Sequence, residues 1–186
     1  MTEFNETALE ESNFSLEQLS TVARAVTVAE ELVSNHYKLS ASQWLKGRYD
    51  IKTAVDLNPE ETVEGPFAQV IRYEGRNQNF ELSSGTFDFY MICLQDPSIL
   101  RTTARYPQLR LFPFMLYILV HELIHIVRFS RFLHNFEASD IERIDEETRV
   151  HGITREILAP TRLPGLKDVY DYYSAWKKPF EDLKNP

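Results

Sequence analysis

Hydrophobic positions along this chain repeat at two different spacings, and each predicts its own kind of element. Leu19, Val22, Val26, Ala29 and Val33 recur at helical intervals behind Ser15 and Gln18, a pair spaced as a capping box. This predicts an amphipathic helix beginning at Ser15. A second helix is expected over residues 42–57, stopping before Asn58-Pro59, because proline pushes the residue before it out of helical backbone. The stretch NPEETVEGP reads as a loop from its Pro, Gly and acidic content. Two segments, FAQVIRYE (67–74) and TFDFYMICL (86–94), are dense in β-branched and aromatic residues and flank the polar GRNQNFELSSG. They predict neighbouring strands of a small sheet.

Beyond Asp96-Pro97 an irregular stretch is expected to lead to Pro113, which opens an apolar helix running to about His134, with proline tolerated in the first turn. Ser139 and Glu142 form another capping-box pair, predicting a helix that lasts to about Leu158 and ends before Pro160. The aromatic GLKDVYDYYSAWKKPF predicts one more short helix. The polar first twelve residues are expected to be a loose tail, with residues 13–186 forming one domain. The fold class is α+β, a small sheet beside a helical core.

Composition narrows the chemistry. A net charge of -8, from 20 Lys and Arg against 28 Asp and Glu, argues against nucleic acid or an anionic membrane as the main partner. The single cysteine, Cys93, rules out an intrachain disulfide and a thiolate metal cluster, and inside an apolar strand it reads as a buried small residue. The amino terminus lacks the positive flank and apolar stretch of a secretory signal, so a cytoplasmic protein is expected. The run LFPFMLYILVHELIHIVRF is about as long as a bilayer span. Three ionisable groups near its middle would be costly in lipid, and Arg110 and Arg128 bracket a shorter apolar core, so it reads as a buried helix.

Those ionisable groups are His121, Glu122 and His125, in the order H-E-L-I-H. Residues four apart lie one turn apart on one helix face, where two imidazoles can bind one metal ion. Glu122 sits about 100° around the helix and can take a proton from a water at the ion's open position. The pattern points to zinc, since a catalytic zinc has three protein ligands and one open position. The third ligand must come from elsewhere. A metzincin would need Gly at 128 and His at 131, and both are Arg. The downstream helix offers Glu142, Asp145, Glu146 and Glu147, and two antiparallel helices joined by a short loop would bring its middle opposite the histidines. Glu142 and Asp145 fit a helix start that complements the dipole, which leaves Glu146 and Glu147 as rivals.

A glutamate from a second helix behind H-E-x-x-H resembles the gluzincin class, where that glutamate begins an E-x-x-x-D-like signature. Glu147 and His151 stand at that spacing, with His where the class more often has Asp. Val150-His151, Ile153-Thr154, Ile157-Leu158 and Pro160 also resemble steps of the ImmA/IrrE family of cytoplasmic metallopeptidases, which has Ala-Asn, Phe-Ala, an apolar pair and Pro there. The likeness covers residues 113–160. It implies a zincin-like domain, a zinc ion held by His121, His125 and Glu147, and hydrolysis of a peptide or protein substrate with Glu122 as general base. It also implies an edge strand for extended substrate beside the active-site helix. Residues 86–94 are the candidate, with a core strand as the alternative. Tyr170, Tyr172 and Tyr173 are considered as oxyanion donors, with packing of the tail on the core as the favoured reading. A zinc-binding scaffold without turnover is the alternative function, favoured if His151 closes the site as a fourth ligand.

Overall fold

Ser15 caps the first helix as its sequence predicts: its hydroxyl accepts from Gln18 N at 3.3 Å and its own N–H donates to Gln18 Oε1 at 2.8 Å. Helix α1 (Leu16–Tyr37) follows, burying Val22, Ala25, Ala29 and Val33 as one stripe. The computed structural model describes residues 13–40, 49–76, 86–131 and 139–175. The expected tail over residues 1–12 lies outside them, as do residues 42–48 of the second expected helix and His134. Among the described residues there are five α-helices and one three-stranded sheet, an α+β protein. These residues gather into two compact units, one from residues 13–20 and the described part of 45–107, the other from 21–40 and the described part of 108–175.

The first unit holds the sheet, in the order β1-β3-β2. Strand β1 (Tyr49–Lys52) pairs parallel to β3 (Thr86–Leu94), matching Ile51 with Ile92, while β2 (Ala68–Arg76) pairs antiparallel, matching Val70 with Ile92. Two expectations are corrected here. Within residues 42–57 the described part is strand β1 and a single 3-10 turn (Ala54–Asp56), because pairing with β3 outweighs a weak helical pattern. Strand β3 is central and bonded on both sides over Tyr90–Cys93, so those backbone groups cannot take up a substrate strand; it is a core strand, buried from Tyr90 to Leu94.

A third correction follows directly. The stretch expected to be irregular carries helix α2 (Asp96–Arg105), since Pro97 ends the strand and equally suits a helix's first turn. Asp96 is buried there and accepts from the backbone N–H groups of Phe14 at 3.2 Å and Ala54 at 3.1 Å. Glu61, also buried, accepts two bonds from Lys52 Nζ at 2.7 and 3.0 Å, one from Asn58 N at 3.0 Å and one from the Tyr73 hydroxyl at 2.8 Å. A lone buried carboxylate would be costly, and this cage removes that cost.

The second unit is helical. Helix α3 (Leu111–Ser130) buries residues 113–121 and 123–128, and it is the one described helix long and apolar enough to cross a membrane. Two contacts set α1 alongside it in the same direction: Arg24 lies over the Phe112 ring at 5.2 Å, and Arg131 donates to Tyr37 O at 3.2 Å. Helix α4 (Asp140–Leu158) opens on the predicted capping box, with Glu142 Oε2 accepting from Ser139 N at 2.9 Å. Helix α5 (Leu166–Ala175) starts after Gly165, whose φ of +96° suits glycine. A Cβ there would meet Arg110 Nη2 at 2.9 Å and Pro113 Cγ at 3.0 Å, so the turn sits tightly on the start of α3.

Candidate metal centre

Helix α3 presents Tyr117, His121, His125 and Arg128 on one face, at spacings of four, four and three. Each meets a residue of α4. Arg128 pairs with Glu146, His125 and His121 with Glu147, and Tyr117 with His151. Positions fall along α3 as they rise along α4, so the two helices are antiparallel, as the short connection between them predicts.

His121 and His125 are 8% and 7% exposed, and their Nε2 atoms approach each other at 3.2 Å. The two oxygens of Glu147 lie against them, Oε2 at 3.1 Å from His121 Nε2 and Oε1 at 3.1 Å from His125 Nε2. Two imidazole nitrogens and a carboxylate therefore crowd one point. Donor atoms on a tetrahedral zinc with bonds near 2.0–2.1 Å are about 3.3 Å apart, close to these separations. The donor chemistry fits as well, since two neutral imidazoles and one carboxylate are a donor set that a catalytic zinc takes, leaving a position open. The Nδ1 atoms on the far side of both rings are buried with no hydrogen-bond partner, whereas zinc-binding histidines usually donate that N–H to an acceptor.

Electrostatics mark the same spot. Burial acts to raise the Glu147 pKa, but hydrogen bonds from His121 and His125 and their charge outweigh it and hold the carboxyl well below its ordinary range. Burial acts to lower His125, and the Glu147 carboxylate overrides this and raises it. Glu122 is shifted upward by burial, which the charges of His121 and His125 oppose. A raised carboxyl pKa suits a general base working near neutral pH. Burial, followed by the charge of His121, depresses His151 to about 3.

The acids of α4 separate cleanly. Glu142 closes the cap, Asp145 is exposed, and Glu146 is buried in a two-pronged bond with Arg128, Nη2 to Oε2 at 2.9 Å and Nε to the other oxygen. Only Glu147 of this set meets the histidines. Sequence reasoning missed two residues of the assembly, Tyr117 and Arg128. The signal for Tyr117 was present, because Tyr117 precedes His121 by one turn and His151 follows Glu147 by one turn, which in antiparallel helices sets them opposite. A ring nitrogen of His151 also lies within 4.8 Å of the donor atoms of His121 and Glu147. Tyr173 stacks on Tyr117 with centroids 4.4 Å apart, and Tyr172 meets Phe114 edge-on at 5.9 Å. Tyr170 meets Tyr117 at 6.1 Å, so all three tyrosines of α5 pack on residues of α3. Cys93 is buried in β3, and burial pushes its thiol up to about 11.

No family model, curated protein or solved structure matches this chain.

Proposed function

We propose that this protein is a zinc-dependent metallopeptidase with a zincin-like helical half, in which His121, His125 and Glu147 hold the ion and Glu122 is the general base. The observation that carries this reading is the triangle of His121 Nε2, His125 Nε2 and the Glu147 carboxylate, with separations of 3.1 to 3.2 Å. The order His-Glu-x-x-His, followed by a glutamate on the next helix, resembles the gluzincin class and, over residues 113–160, the ImmA/IrrE family. Bound zinc supplies Lewis acidity to a peptide carbonyl and a water. Glu122 takes the proton of the attacking water as its oxygen bonds to the carbonyl carbon, and passes that proton to the amine nitrogen as the C–N bond breaks. His121 and His125 are buried in α3, where the lower local polarity makes charges act more strongly. A peptide or protein in the cytoplasm is the proposed substrate.

The second reading is a zinc-binding scaffold without turnover, favoured by the approach of His151 to the same donor atoms. Elemental analysis of purified wild type, His121→Ala, Glu147→Ala and Glu122→Gln tests the first. One zinc per chain in wild type and Glu122→Gln, with loss in the other two, is expected. A peptide-library digest then separates the readings: turnover by wild type that Glu122→Gln lacks supports the peptidase, and zinc without turnover supports the scaffold. A wild type that takes up no zinc at neutral pH overturns both.

A further inference from the structure

Tyr117 and His151 are joined by a contact of 2.7 Å between the phenol oxygen and Nδ1, and its direction decides what His151 can do. Tyr117 is fully buried, so its one hydroxyl proton needs an acceptor. Arg155, whose charge also acts on this phenol, carries donors only. The proton of Tyr117 therefore goes to His151 Nδ1. Were Nδ1 itself protonated, the phenol proton would have no acceptor among the described residues. A neutral imidazole that accepts at Nδ1 carries its hydrogen on Nε2, and an N–H has no lone pair to give a metal ion.

That Nε2 has no hydrogen-bond partner among the described residues, and it is not one of the buried polar atoms closed off from solvent. His151 stands one turn beyond Glu147 on α4, and its ring centroid is 4.4 Å from that of His121. Tyr173 flanks it at 5.3 Å. An open N–H is thus held beside the proposed ion, on a ring fixed by one part-buried hydrogen bond.

We propose that His151 is a catalytic hydrogen-bond donor whose Nε2–H binds the carbonyl oxygen of the scissile peptide, with Tyr117 as the positioning residue that holds its tautomer, and that His151 is not a fourth ligand. The proposal rests on the metallopeptidase reading. As the water oxygen bonds to the carbonyl carbon, the carbonyl π pair moves onto oxygen and the hydrogen bond from Nε2–H strengthens. No proton leaves the ring; Glu122 carries the one that is transferred. The same donor would hold any ligand that places an anionic oxygen beside the ion, and acetohydroxamate is such a probe.

The test uses full-length protein loaded with cobalt, whose visible absorption reports both uptake and acetohydroxamate binding, together with long-range proton–nitrogen NMR of the histidine rings. His151→Phe is expected to take up one equivalent of cobalt like wild type, yet to bind acetohydroxamate about ten-fold or more weakly, the loss of one hydrogen bond to a charged oxygen. Tyr117→Phe, which spares the imidazole, is expected to weaken the probe by a smaller factor and to release the tautomer. In zinc-loaded wild type the His151 ring should carry its hydrogen on Nε2. Normal metal uptake with unchanged acetohydroxamate affinity in His151→Phe overturns this inference alone, as does an unprotonated, metal-bound Nε2 in the NMR spectrum. Failure of wild type to take up either metal overturns the metallopeptidase reading and this inference with it.

Discussion

Arg128 grips both oxygens of Glu146 inside the protein, and this contact settles which of two adjacent acids reaches the histidines. Neighbours on a helix point about 100° apart. With Glu146 turned to the guanidinium, Glu147 is turned to His121 and His125.

Removing one partner of this pair leaves the other charge buried and uncompensated, which costs about 3–5 kcal/mol. Glu146→Leu and Arg128→Met are each expected to lose stability on that scale in urea unfolding, and the double variant to recover much of it. Single losses below about 1 kcal/mol would show that the pair does not anchor α4.

Zinc that binds only the folded chain should stabilise it, by about 2.7 kcal/mol when free zinc is a hundred times its dissociation constant. The wild-type Tm is therefore expected to rise with added zinc and fall back with a chelator, and Glu122→Gln to behave alike. His121→Ala and Glu147→Ala should show no rise. An equal rise in His121→Ala would place the binding elsewhere.

Glu61 gives a pH dependence of known sign. Lys52, then the Asn58 N–H and the Tyr73 hydroxyl, hold its carboxyl down at about 2, below the ordinary 4.5. A lowered carboxyl pKa contributes stability that is present above the unfolded value and lost as pH falls through the folded one. The stability gap between wild type and Glu61→Gln is therefore expected to narrow between pH 4.5 and about 2. Tyr73 acts oppositely: its hydrogen bond to Glu61 pushes the phenol up to about 12 from 10.0. That contribution is present below pH 10.0 and lost as pH rises towards about 12, so Tyr73→Phe should lack it. Parallel pH curves for wild type and either variant would sink the respective assignment.

Gly165→Ala should destabilise by about 1–2 kcal/mol, because a positive φ disfavours alanine and the new Cβ would press on Arg110 and Pro113. Thermal unfolding measures it. An unchanged Tm would mean that the turn rearranges freely.

Much of the arrangement at the candidate site was legible because its signals are local. The spacing of His121 and His125 on an apolar helix, and the caps at Ser15 and Ser139, depend on nearby residues alone. What was hidden depends on partners distant in sequence. The choice between Glu146 and Glu147 needed Arg128, and the central position of β3 needed its pairing with β1, a strand inside a stretch whose own pattern is helical. Helix α2 was legible in principle: Asp96-Pro97 is as good a helix start as a strand end, and Ile99 supplies its buried anchor.

Helix α3 has a consequence for how this protein can vary among its descendants. The same segment forms the interior of its unit and carries His121, Glu122 and His125, with residues 113–121 and 123–128 buried. On the proposed function, selection for packing and selection for chemistry fall on the same codons, and few substitutions there would be neutral. On the same reading, new specificity would arise at the half-buried tyrosines of α5 and the exposed positions of α4, with α3 the slowly changing part of the lineage.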